Sequence, residues 1–203
     1  TATLQVSVYG VSFAPRSKNS YPLDTALEPV AVAVADINKD DLPDVVVSGL
    51  RNTSAGFLGV YLNQGGGKYP AKPDVLELPN TGDDLAILDV NQDGHLDVAV
   101  ISTMGGQLLV ALNDGTGHYN PGQTQLVALP LGFVPITLTA GKFLGSDNVP
   151  DLVVASNAGP GVTSELLFYA NTGNSLALVG AIDSGLIFVG NLLVADLNND
   201  GNE

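Results

Sequence analysis

Asp36-Ile-Asn-Lys-Asp-Asp-Leu-Pro-Asp44 decides the fold of this chain, because it returns. It comes back as Asp89-Val-Asn-Gln-Asp-Gly-His-Leu-Asp97 and, at the end of the sequence, as Asp196-Leu-Asn-Asn-Asp-Gly-Asn-Glu203. A degenerate copy with one extra residue, Lys142-Phe-Leu-Gly-Ser-Asp-Asn-Val-Pro-Asp151, sits between them. The first positions fall at 36, 89, 142 and 196, a period of about 53 residues. A fixed period of that size marks a repeat architecture in which each copy is one supersecondary unit.

The flanks of each copy say what the unit is. An apolar stretch precedes it (Val30 to Ala35, Leu85 to Leu88, Ile136 to Ala140, Leu192 to Ala195), and β-branched residues follow three of the four (Val45 to Ser48, Val98 to Ile101, Leu152 to Ala155). The pattern predicts a hairpin with the acidic loop at its tip. A second marker recurs downstream: Tyr61-Leu-Asn-Gln-Gly-Gly-Gly-Lys-Tyr69, Ala111-Leu-Asn-Asp-Gly-Thr-Gly-His-Tyr119, and more weakly Tyr169-Ala-Asn-Thr-Gly-Asn174. It predicts a third strand running into a Gly-rich turn. Val75 to Leu78 and Gln125 to Leu129 then read as fourth strands, and no segment carries a helical period.

Four strands in about 53 residues is the size of a propeller blade. The expectation is an all-β fold, a β-propeller of four-stranded antiparallel blades, present as a partial ring of about 3.8 blades. A β-sandwich with chance similarity between hairpins is the alternative. The blades are expected at 30–82, 83–134 and 135–188. Residues 1–29, with a strand from Leu4 to Tyr9, would be the trailing part of one blade, and 189–203 the start of another.

Composition narrows the function. The chain has 203 residues and a formal net charge of −14, which excludes nucleic acid and anionic membranes as electrostatic partners and favours cations. No apolar run approaches the roughly 18 residues of a membrane helix, so no membrane insertion is expected. There is no Cys and no Trp, and only two His, which excludes thiol chemistry, cysteine-held metals and a Trp sugar-stacking platform. The sequence opens without a visible signal peptide.

The acidic loop places oxygen donors at positions 1, 3 and 5 of a tight turn, the arrangement a hard cation such as calcium requires. The first copy offers Asp36, Asn38, Asp40 and Asp44, with the carbonyl of Leu42 at position 7; the second offers Asp89, Asn91, Asp93 and Asp97, with the carbonyl of His95. Position 6 must reverse the chain in a left-handed conformation, and it is Gly94 in the second copy and Asp41 in the first. The apolar position 2 (Ile37, Val90, Phe143, Leu197) is expected to point inward. An EF-hand would need a bidentate Glu at position 12 and flanking helices, but position 12 is Val47 or Val100 inside a predicted strand. Asp and Asn also make ordinary hairpin turns; two complete loops in register favour calcium. Lys142, Leu144 and Ser146 at the donor positions predict no metal in the third copy. The fourth keeps Asp196, Asn198 and Asp200 without a position-9 acid, and either holds an ion weakly or holds none.

The combination of Asp-x-Asn-x-Asp-Gly-x-x-Asp between two strands and a following Leu-Asn-x-Gly-x-Gly-x-Tyr resembles the FG-GAP and VCBS repeats, as in the integrin alpha-chain propeller and many bacterial surface proteins. The likeness runs from about residue 4 to 203, although the Phe-Gly and Gly-Ala-Pro signature itself is poorly kept. The resemblance implies a propeller, an extracellular or cell-surface location, and calcium in the loop joining the first two strands of a blade. It does not name a ligand.

Three functions follow: a calcium-stabilised module for protein interaction, adhesion or assembly; a carbohydrate-binding propeller or non-catalytic part of a polysaccharide-degrading enzyme; or a structural spacer. No catalytic constellation is legible, so the chain is read as a non-enzyme. Asp83-Asp84 reads as an inter-blade turn rather than a carboxylate dyad. The expected partners are a protein or glycan ligand and a further copy closing the ring. The ligand is expected at the second-to-third strand loops (Arg51 to Gly56, Thr103 to Gly106, Asn157 to Thr163), at the end away from the acidic loops.

Overall fold

A computed structural model describes residues 7–8, 11–12, 26–52, 55–144, 149–157, 163–186 and 189–197. Its elements are all strands. After a short hairpin of β1 (Ser7–Val8) and β2 (Val11–Ser12) come three four-stranded antiparallel meanders. The first holds β3 (Leu27–Ala35), β4 (Asp44–Arg51), β5 (Ala55–Tyr61) and β6 (Asp74–Leu78). The second holds β7 (Asp84–Leu88), β8 (Asp97–Ser102), β9 (Gln107–Asn113) and β10 (Tyr119–Val127). The third holds β11 (Pro135–Gly141), β12 (Asp151–Ser156), β13 (Glu165–Asn171) and β14 (Leu176–Asp183). Each sheet follows chain order, and no helix occurs among the described residues.

The sheets stack face to face, with β7 in contact with both β3 and β11. Period-two patterning explains how the middle sheet serves two neighbours. Val98 and Val100 of β8 enter a core with Val46, Leu58 and Val60 of the first sheet. Ala99 and Ile101, one residue out of phase, enter a core with Leu138, Leu152 and Val154 of the third. Every residue of β8 is therefore buried.

Among the described residues, no sheet covers the outer face of the first sheet in this way. Val30, Val32 and Val34 of β3 are 57%, 66% and 62% exposed. One repeat later, Leu85 stands where Val32 stands and is only 8% exposed, because the preceding sheet covers it. At the other end, Leu192 to Ala195 line a small cavity of about 220 Å³ with Thr139, Val153, Leu166 and Phe168 of the third sheet.

Three expectations need correction. Leu192 to Ala195 was expected as a strand, yet the segment is irregular, because no described strand pairs with it to satisfy its backbone groups. The fourth strand of the middle sheet runs Tyr119–Val127 rather than from Gln125, with a register irregularity between Tyr119 and Thr124. The loop expected from Arg51 to Gly56 is shorter at both ends, since β4 runs to Arg51 and β5 begins at Ala55, with those two residues paired. The strand expected from Leu4 to Tyr9 is described only at Ser7–Val8, and the rest of it lies outside the described residues.

Candidate functional site

In the β3–β4 loop, short polar side chains bond backbone NH groups two to five residues on, as Asp and Asn do in turns. Asp36 accepts the NH groups of Asp40 and Asp41 on its two oxygens, at 3.0 and 2.9 Å. Asn38 Oδ1 accepts the same Asp40 NH at 3.3 Å, and Asn38 Nδ2 donates to Asp40 Oδ2 at 3.1 Å. Asp40 Oδ1 accepts the NH of Leu42 at 2.9 Å. Positions 1, 3 and 5 are thereby gathered on one short turn.

The β7–β8 loop repeats the arrangement. Asn91 Nδ2 donates to Asp93 Oδ2 at 2.8 Å, and Asn91 Oδ1 accepts the Asp93 NH at 3.1 Å. Asp93 Oδ1 accepts the His95 NH and Asp89 Oδ2 the Gly94 NH, both at 2.8 Å. Position 6 is left-handed as expected, with φ of 64° at Asp41 and 87° at Gly94. Position 4 is left-handed too, at Lys39 (60°) and Gln92 (56°), so each loop reverses through two such residues.

Position 9 is different in kind. Asp44, Asp97 and Asp151 are 0%, 0% and 2% exposed. One oxygen of each accepts a loop NH at 2.9 Å, from Ile37, Val90 and, across the extra residue of the third copy, Leu144. The other accepts the NH of the Asn in the following Gly-rich turn: Asn63 at 2.7 Å, Asn113 at 2.8 Å and Asn171 at 3.0 Å. The acidic motif itself does not point to these asparagines; the signal that marks them is their recurrence in the second marker. Their bonds also set the Gly-rich turns beside the acidic loops, at one end of the sheets.

The second loop concentrates negative charge. Burial pushes the Asp97 carboxyl above its ordinary value; NH bonds from Asn113 and Val90 oppose this, and the charges of Asp93 and Asp89 add to it. Asp93 lies below its ordinary value: burial opposes ionisation, but the His95 NH, the Asn91 amide, and the charges of His95 and Lys39 outweigh it. Asp89 Oδ1 is buried and accepts no hydrogen bond. A buried carboxylate oxygen without a donor is a costly feature that a cation would relieve. Among the described residues, no three His, Asp or Glu side chains alone form a metal cluster. The candidate sets therefore depend on Asn38, Asn91 and main-chain oxygens. Asp44 and Asp97 keep acceptor capacity, since a carboxylate oxygen has a second lone pair.

The remaining copies diverge. In the third, Lys142 and Leu144 occupy positions 1 and 3, and Ser146 lies outside the described residues. Phe143 packs edge to face on Phe168, with ring centroids 5.9 Å apart. In the fourth, Asp196 is described, whereas Asn198 and Asp200 lie outside the described residues. Leu197 was expected to point inward and is instead 96% exposed. Position 2 packs against whatever follows its sheet: Ile37 joins the core shared with the second sheet, and Val90 the core shared with the third. No described sheet follows Leu197. Asp83 and Asp84 act structurally. Asp83 Oδ2 accepts the Thr103 NH at 2.7 Å, while Asp84 Oδ2 accepts the Thr137 hydroxyl at 2.8 Å and the Leu138 NH at 3.1 Å, joining the second sheet to the third.

The chain is similar to integrin alpha-7 of Homo sapiens, 32% identical over 145 residues, which is 63% of this chain and 12% of that protein. No family model matches the sequence.

Proposed function

We propose that this chain is a calcium-stabilised β-propeller module of the FG-GAP/VCBS kind, extracellular or at the cell surface, that serves protein interaction, adhesion or assembly and catalyses no reaction. The observation that carries the reading is one loop geometry repeated at the same end of stacked sheets, with Asp89 Oδ1 buried and without a donor in the second copy. The integrin similarity supports the adhesion class.

In the first loop Asp36, Asn38, Asp40, Asp44 and the Leu42 carbonyl would hold the ion. In the second, Asp89, Asn91, Asp93, Asp97 and the His95 carbonyl would do so. A bound calcium supplies the positive charge that offsets the gathered carboxylates. The partner is assigned to the opposite end, where the β8–β9 loop presents Met104 at 91% exposure. The open Val30, Val32 and Val34 face of β3 supports a further sheet, or a second copy, completing the stack.

Thermal unfolding with about 2 mM calcium and then with excess chelator tests the reading. At dissociation constants of about 0.1 to 1 mM, each ion adds roughly 0.6 to 1.8 kcal/mol, so the melting temperature rises visibly with calcium. A melting curve indifferent to chelator overturns the calcium assignment.

A further inference from the structure

The acidic loops do not stand alone. Asn113, in the Gly-rich turn of the second sheet, donates through Nδ2 to Leu96 O of its own acidic loop at 3.1 Å, and also to Ile37 O of the first loop at 2.9 Å. Asn171, one sheet later, does the same: Nδ2 donates to Pro150 O at 3.2 Å and to Asp89 O of the second loop at 2.8 Å. The backbone NH of each asparagine meanwhile holds the buried position-9 acid of its own sheet. One hydrogen-bonded path thus runs from Ile37 through Asn113 to Asp97, across Val90 and Asp89 to Asn171, and on to Asp151.

Asn63 shows the same wiring at the start of the path. Its Nδ2 donates to Pro43 O at 2.9 Å, and its second described partner is Tyr69 Oη at 3.3 Å rather than a carbonyl of another loop. The inter-sheet bond thus appears wherever a described acidic loop precedes the asparagine.

We propose that Asn113 and Asn171 are positioning residues that tie each ion-binding loop to the sheet following it, so that a loop's calcium affinity is set in part by a side chain outside that loop. The proposal rests on the calcium reading above. Its mechanism is preorganisation: Asp89 and Ile37 stand at positions 1 and 2 of their loops, and fixing a carbonyl there holds the turn in shape before the ion arrives. Asn171 isolates the effect, because the acidic loop of its own sheet lacks the donor residues at positions 1 and 3.

The test is a calcium titration of the whole chain followed by NMR at two amides, Gly94 in the second loop and Asp41 in the first, each of which donates to its loop's position-1 carboxylate. The wild-type chain is compared with Asn171→Ala and with Asn171→Ser, which keeps an oxygen for the Gly173 NH. The proposal expects calcium affinity reported by Gly94 to fall about fivefold, the worth of one hydrogen bond, with Asp41 within about twofold of wild type. An unchanged Gly94 titration in a folded variant overturns the coupling and leaves the calcium reading intact. Equal weakening at both amides overturns it as well, since that is general loosening. If neither amide responds to calcium in the wild-type chain, the calcium reading itself fails and the coupling with it.

Discussion

The loops at 36–44 and 89–97 and the loop at 142–151 are the same hairpin with different tips. All three bury the last aspartate and engage it through one loop NH and one asparagine NH. The first two carry Asp, Asn and Asp at positions 1, 3 and 5, whereas the third carries Lys142, Leu144 and Ser146. Retention of Asp151 with the same bonds, where the other donors are gone, separates two jobs that the motif runs together. Position 9 holds the hairpin to its Gly-rich turn. Positions 1, 3 and 5 form the proposed ion set, to which position 9 adds a donor in the first two loops.

Substitutions divide along that line. Asp97→Ala should have the largest effect, because it strands the buried NH groups of Val90 and Asn113 and also removes an ion donor. The expected loss is roughly 2 to 5 kcal/mol by urea unfolding, larger with calcium than with chelator. Asp151→Ala should lose roughly 2 to 4 kcal/mol, equally in calcium and in chelator. A calcium-dependent loss at Asp151 would erase the distinction between the loops. Asp93→Ala, at an exposed position of the ion set, should lose about 0.6 to 1.8 kcal/mol at 2 mM calcium and almost nothing in chelator.

The smallest effect is electrostatic and lies between sheets. His118, in the β9–β10 turn, meets Asp74 at the start of β6, and the Asp74 hydrogen bond and charge hold its imidazole above the ordinary value of 6.5. A raised folded value means that the contact contributes fully below about pH 6.5 and is lost as pH rises through the folded value. Both groups are half exposed, so the effect on stability is slight. An NMR titration should find the His118 midpoint falling toward 6.5 in Asp74→Asn. An unmoved midpoint would remove the contact from the account.

Much of this was legible in the residues. The 53-residue period placed acidic hairpins at the right strands, because alternating apolar residues and turn-forming Asp, Asn and Gly act locally. The left-handed position 6 followed from Gly94 and from the tolerance of Asp41 for that conformation. Left-handed Lys39 and Gln92 were illegible, since neither residue type advertises the conformation. The roles of Asn113 and Asn171 are illegible in the sequence, because their partners Ile37 and Asp89 lie 76 and 82 residues away. Leu192 to Ala195 has a strand's composition and no described strand beside it; pairing, a tertiary property, decides what such a segment becomes.

The most direct test of the central claim is an anomalous-scattering map from crystals grown in millimolar calcium. The expected map has one peak in the loop at 36–44 and one in the loop at 89–97, each with oxygens at about 2.4 Å, and none in the loop at 142–151. Waters at hydrogen-bonding distances in both of the first two loops, or an ion in the third, would contradict it.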